Sequence, residues 1–238
     1  MILIVDYKTP QNEILKLERF GPVFKSDKVT ALSPIDGHPD MQIHVIDDTV
    51  FVHKNISERL LKELKRNSNK NVIVTNYEIK PQYPSDIGLN CLSTFDVFIH
   101  DLKRTAPELL SYIKSKNLNC IHVKQGYTAC STLSVGKNAF ITSDKGIFKT
   151  LTNNNKNTLY TDPEGIVLDG MGNGFIGGSM RIIKQENVNF LVSFGDPNNL
   201  KDFDRIIEFM KAEIGDVTLF PLSSGPLYDR GGITIIQD

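Results

Sequence analysis

The chain has 238 residues, 40% of them hydrophobic and 23% charged, and a formal net charge of −1. That length supports a sizeable buried core, and the near-zero charge gives no general attraction to nucleic acid or to an anionic membrane. No run approaches the roughly 20 apolar residues that span a bilayer. Three cysteines without a CxxC spacing argue against a disulfide framework or zinc knuckle and for a reducing, cytoplasmic setting.

Met1–Asp6 is apolar for five residues without a basic lead, and reads as a strand rather than a signal peptide. Residues 10–19 open on Pro10 and set Ile14, Leu15 and Leu17 among charges, which predicts a helix. Pro22–Phe24 follows as a weak strand. Met41–Ile46 and Thr49–His53 read as two strands joined by a turn. A helix over 56–66 follows, with Ile56, Leu60, Leu61 and Leu64 at helical spacing, then a strand at Asn71–Thr75. The same order returns in Cys91–Ser93, Phe95–Ile99, a helix over 106–116 with Leu109, Leu110 and Ile113 on one face, and Asn119–Val123. It returns again in Cys130–Val135, Ala139–Thr142, a shorter helix over 144–151 capped by Asp144, and Thr158–Tyr160. The fourth copy is Met180–Ile183, Asn189–Ser193, a helix over 199–213 carrying Phe203, Ile206, Ile207 and Met210, and Asp216–Phe220. Gly232–Gln237 is a last strand.

Four copies of strand, turn, strand, helix, strand thus recur at about 40–50 residues, a period at which propellers and repeat architectures lead. The ends complete a fifth copy. Gly232–Gln237 supplies its first strand, and Met1–Asp6, the helix over 10–19 and residues 22–24 supply the rest. The expected fold is a single α/β domain over residues 1–238, a five-fold pseudo-symmetric propeller of strand–strand–helix–strand repeats that leaves no sheet edge open. The alternative is an ordinary α/β domain with a mixed sheet. A doubly wound parallel fold fits less well, because strands paired through short turns form hairpins rather than crossovers.

This pattern, spread over nearly the whole chain, resembles the pentein superfamily, the guanidino-group-modifying fold. Lys124-Gln-Gly-Tyr-Thr-Ala-Cys130, Ile141-Thr-Ser-Asp-Lys-Gly146 and Gly174-Phe-Ile-Gly-Gly178 are similar to an uncharacterised bacterial branch of it. The superfamily includes arginine deiminases, dimethylarginine hydrolases, amidinotransferases, agmatine deiminases and non-catalytic ribosome factors.

In such a ring the first residues of each innermost strand face the axis. Five segments fall there: His38-Pro-Asp40, Leu89-Asn90, Ala129-Cys130, Gly177-Gly178 and Asp229-Arg-Gly-Gly232. The resemblance implies a Cys nucleophile, a His acid/base in an H-x-D motif and carboxylates that hold a guanidinium. His38, Asp40 and Cys130 match those roles, with His38 and Cys130 two repeats apart as in the enzymes. The family's Cys usually lies in the last repeat, so the match needs the site rotated around the ring. Asp229, Asn90, Arg230 and Gly178 are the expected substrate-binding residues. The implied ligand is a small cationic guanidino or amidino compound, attacked by a thiolate whose pKa a neighbouring imidazolium or the substrate cation lowers. No cofactor and no metal is expected. A set of His38, Asp40 and His44 matches no specific ligand spacing, and Gly170-Met-Gly-Asn-Gly174 precedes a strand rather than the helix a dinucleotide loop requires. The competing function is a non-catalytic binding protein of the same fold.

Overall fold

The computed structural model describes residues 1–237. β1 (Ile2–Val5), α1 (Gln11–Leu17) and β2 (Val23–Lys25) come first. The first full repeat is α2 (Pro39–Gln42), β3 (Ile43–Ile46), β4 (Thr49–Val52), α3 (Glu58–Asn67) and β5 (Asn71–Val74). The second is β6 (Leu92–Ser93), β7 (Val97–His100), α4 (Pro107–Ser115) and β8 (Asn119–His122). The third is α5 (Thr128–Ser131), β9 (Thr132–Ser134), β10 (Ala139–Thr142), α6 (Lys145–Asn153) and β11 (Asn157–Tyr160). After the short β12 (Ile166–Val167) comes the fourth: α7 (Ile176–Ser179), β13 (Met180–Gln185), β14 (Val188–Ser193), α8 (Phe203–Ile214) and β15 (Val217–Pro221). β16 (Leu227–Tyr228) and β17 (Thr234–Ile236) end the described chain.

The result is a mixed α/β structure of small sheets. Five sheets have three strands each, in the orders β17-β1-β2, β3-β4-β5, β6-β7-β8, β9-β10-β11 and β13-β14-β15. In each, the middle strand pairs antiparallel with the first and parallel with the third. A parallel partner demands a crossover, and the helix between the two strands supplies it. Ile2 pairs with Ile236 and Ile4 with Thr234, so the two ends of the chain share one sheet, as expected.

Burial explains which strands the sequence announces. β1, β4, β7 and β10 are buried along their whole length and are near-continuous apolar runs. The third strands are largely half-buried or exposed, which is why Pro22–Phe24 is a weak signal. Alternate residues of each middle strand pack against opposite neighbours. Ile2 and Ile4 meet Val50 and Val52 of the next sheet and Leu60 and Leu64 of α3. Leu3 and Val5 meet Val192 and Phe194 of the preceding one. Phe51 packs with Phe98 and Leu109, Val97 and Ile99 with Phe140 and Ile147, and Ile141 with Leu191 and Ile206. Each fully buried side chain of this kind contributes about 1.5–3 kcal/mol relative to exposure.

Three differences from the sequence expectation matter for the site. Met41–Gln42 and Cys130–Ser131 are not strand residues; they lie in the four-residue helical turns α2 and α5, and the strands start at Ile43 and Thr132. A matching turn, α7, precedes β13. The helix expected over 199–213 starts at Phe203, because Asp196 caps a separate 3-10 turn at Pro197–Asn199. β12 and β16 form an unexpected two-stranded sheet beside the site. Among the described residues, no helix is long and apolar enough to cross a membrane.

Candidate functional site

The helical turns carry the reactive side chains. His38 precedes α2, where Pro39 takes the first-turn position that lacks an intrahelical N–H partner anyway. Asp40 follows one residue on. Cys130 lies within α5, whose backbone Asn90 fastens: the N–H groups of Ala129 and Cys130 donate to Asn90 Oδ1 at 2.8 and 3.3 Å. Asp229 comes from the loop after β16. Its carboxylate accepts from Phe175 N at 2.9 Å and Gly231 N at 3.0 Å.

Glycines let these segments meet. A Cβ on Gly178 would overlap the Asp229 carboxylate, and one on Gly177 would run into the carbonyl oxygens of Ala129 and Thr132. Gly231 has φ +67° and lies against His38, so both conformation and space require glycine there.

Five of the expected residues form one cluster. Cys130 Sγ lies 2.7 Å from Asp40 Oδ2 and 3.9 Å from His38 Nδ1, with Asn90 Nδ2 at 3.4 Å. His38 Nδ1 is 3.9 Å from Asp229 Oδ1. All are buried, and two atoms, His38 Nε2 and Asp40 Oδ1, have no hydrogen-bond partner among the described residues. The cluster opens on a pocket of about 40 Å³ bounded by Ile35, Tyr127, Leu168, Met171 and Phe175. Beyond Leu168 and Asp229 lies a larger recess bordered by Asp6, Lys8, Asp169 and Arg230. Arg230 therefore stands next to the cluster rather than in it. Its Nε is 3.4 Å from Glu13 Oε2 and its guanidinium stacks on the Tyr228 ring at 5.1 Å. Gly178 is the floor under Asp229 rather than a group presented to a ligand.

Burial dominates the electrostatics. It raises the Asp40 carboxyl to about 8, with the Cys130 hydrogen bond opposing, and Asp229 to about 6, with the two backbone N–H bonds opposing. It lowers His38 to about 3, helped by Lys8 and Arg230. Burial also pushes the Cys130 thiol well above its usual value, and the Asp40 and Asp229 carboxyls add to the rise. Of the two expected activators of the thiol, imidazolium or substrate cation, the first is absent at rest: the imidazole is neutral and the thiol keeps its proton, donated to Asp40. A cation placed against the two carboxylates reverses the balance, favouring both carboxylate and thiolate.

His38, Cys130 and Asp229 also offer three donor atoms within 4.8 Å of one another, the one such group among the described residues. That set is compatible with a divalent metal of N/O/S preference. His44 does not join it: its Nε2 meets Ser93 Oγ at 3.1 Å. His100 is also tied up, between Thr105 Oγ1 and the Gly126 carbonyl oxygen.

Sequence reasoning missed Arg181, whose charge acts on Asp40 from behind, and Tyr127, whose hydroxyl donates to Asp86 Oδ2 at 2.7 Å as it walls the pocket. Arg181 had a signal: it is the charged residue in an otherwise apolar stretch, Met180–Ile183.

Residues 4–234 match the model of a family described as a family of unknown function, DUF6873. The chain belongs to this family. No curated protein matches it. Among solved structures, DDAH from Pseudomonas aeruginosa, a Cys-to-Ser variant complexed with citrulline, aligns over 93% of this chain and 92% of its own at 9% identity and TM-score 0.54. An agmatine deiminase from C. jejuni aligns over 93% and 87% at 7% identity and TM-score 0.53. A Cys-to-Ser variant of that enzyme with substrate bound aligns at 8% identity and TM-score 0.48, over 76% of this chain, which spans 66% of its length. DDAH and the agmatine deiminase are members of the pentein superfamily, and the likeness at TM-scores 0.54 and 0.53 shows the fold.

Proposed function

We propose that this family member is a cysteine-dependent hydrolase or transferase acting on a small guanidino or amidino compound. It works as one five-bladed ring domain in a reducing cytoplasm. Two observations support the ring: five apolar clusters each join one sheet to the next, and one of these, around Leu3, joins the fourth repeat back to the β17-β1-β2 sheet. What carries the functional reading is the convergence of Cys130, His38, Asp40 and Asp229, from three separate parts of the chain, on one buried point.

The substrate's cationic head binds between Asp40 and Asp229, whose carboxylates accept its N–H groups. Its charge lowers the thiol pKa, and the Cys130 proton passes to His38. The thiolate adds to the planar carbon. The carbon–nitrogen bond to the departing amine then breaks as His38 returns the proton to that nitrogen. Water, deprotonated by His38, attacks the S-linked carbon, and the thiol is regenerated; in a transferase an amine replaces the water. Asn90 holds α5 and the sulfur in place throughout.

The resting state favours a second reading in one respect. A protonated thiol facing a pocket of about 40 Å³ also suits a binding protein of this fold that has no turnover. The two separate in a screen of guanidino and amidino compounds for ammonia, urea or amine release, run beside binding. Cys130→Ala is expected to abolish turnover and keep binding, while Asp229→Asn weakens binding by about 1.5–3 kcal/mol. Binding without turnover or adduct across the panel would overturn the enzyme reading.

A further inference from the structure

Besides the thiol pocket there is a second space, a cavity of about 130 Å³ among the first strands of the sheets, bordered by Asp40, His44, Ser93, Arg181 and Thr234. Asp40 reaches the thiol from this side through its Oδ2. The two spaces share no bordering residue.

Arg181 projects from β13, opposite Val192, into this cavity. Arg59, Arg205 and Arg230 each pair with a carboxylate. Arg181 has no ion pair, and its side chain makes no hydrogen bond or ring contact among the described residues. Asp40 attracts it but lies beyond ion-pair distance. A guanidinium carries five N–H donors in a planar fork, and the half-buried Arg181 leaves its donors facing the cavity without a protein partner among the described residues. The cavity opens toward a recess that shares Ser93 and Arg181 and adds Ser134, Lys184 and Asn189. The charged groups of that recess are both cations, Arg181 and Lys184; the cavity itself adds Asp40, whose carboxyl burial raises to about 8 and so keeps largely neutral at pH 7.

We propose that this cavity binds a small oxyanion, with Arg181 as its bidentate anchor and Lys184 at the mouth. The volume is roughly that of four waters, which admits formate, nitrate or phosphate. Ser93 is placed to donate a further hydrogen bond if His44 accepts nothing from it in that state. Because the cavity and the thiol pocket are separate, the site does not depend on the chemistry proposed for Cys130.

The test is calorimetric titration of the purified full chain with formate and, separately, inorganic phosphate, against chloride at equal ionic strength. Saturable binding of one or both oxyanions is expected; which of them binds identifies the class. Arg181→Met should raise Kd at least tenfold, Arg181→Lys by less, and Lys184→Gln by about two- to threefold. Arg205→Met, which removes a guanidinium outside the cavity, should bind as the wild type does. In case Arg181→Met does not fold, crystals of the wild type soaked in selenate give a second measurement, an anomalous peak beside Arg181. No saturable oxyanion binding, binding unchanged in Arg181→Met, or selenate found only elsewhere overturns the proposal.

Discussion

Asp40→Asn is expected to stabilise the protein, and to do so more as pH rises. The Asp40 carboxyl is raised by burial from 3.8 to about 8 in the folded protein, whereas in the unfolded chain it ionises near 3.9. Between those values the folded state holds a proton that the unfolded state has lost. Stability therefore falls with rising pH across that window, by about 1.4 kcal/mol per pH unit. From pH 5.5 to 7.5 the wild type should lose about 3 kcal/mol relative to Asp40→Asn, which cannot titrate and still offers an oxygen to the Cys130 thiol. Asp229 titrates in the same window, but it does so in both proteins and cancels. Urea unfolding at the two pH values measures the difference, provided the slope m is the same for both proteins. Parallel pH profiles, or a variant less stable at both pH values, would refute the buried-proton reasoning.

Other outcomes follow from the same geometry. Iodoacetamide should label Cys120 before Cys130 or Cys91, because Cys120 is only partly buried while burial holds both other thiols protonated; peptide mass mapping after brief labelling at pH 7.5 gives the order. Gly178→Ala should displace the Asp229 carboxylate from Phe175 N and Gly231 N. Guanidinium affinity should then fall by about tenfold or more while far-UV circular dichroism stays native. Removing residues 232–238 should lower Tm sharply in a thermal melt, since β17 covers one edge of β1 and Ile233 and Ile236 belong to two of the apolar clusters.

The fold was legible because its helices and middle strands are the parts that burial constrains. Phe51, Phe98 and Phe140 sit in apolar runs that admit little besides a buried strand, and Ser57 and Asp144 cap α3 and α6 through their side chains as helix starts require. The four-residue turns α2, α5 and α7 were not legible. Pro39–Gln42 and Thr128–Ser131 are too short for a helical period to emerge, and they merge with the strands that follow. Cys130, His38, Asp40 and Asp229 could be found from repeat alignment, which needs only equivalent positions. Their protonation could not, because it depends on how completely the loops around Ile35, Tyr127 and Leu168 shut out water. Arg181 escaped for a related reason: its place on β13 was read as strand, and only the packed sheets create the cavity it faces.

The central claim is that a cation held by Asp40 and Asp229 activates Cys130. The most direct measurement compares two thiol alkylators of nearly equal size at pH 7.5, a haloacetamidine and the neutral haloacetamide, followed by intact-mass and peptide mapping. The amidinium head can pair with the carboxylates and lower the thiol pKa, and the amide cannot. The expected result is an adduct on Cys130 formed at least tenfold faster by the amidine, an advantage lost in Asp229→Asn. Equal rates for the two reagents, or amidine adducts confined to Cys120, would contradict the account.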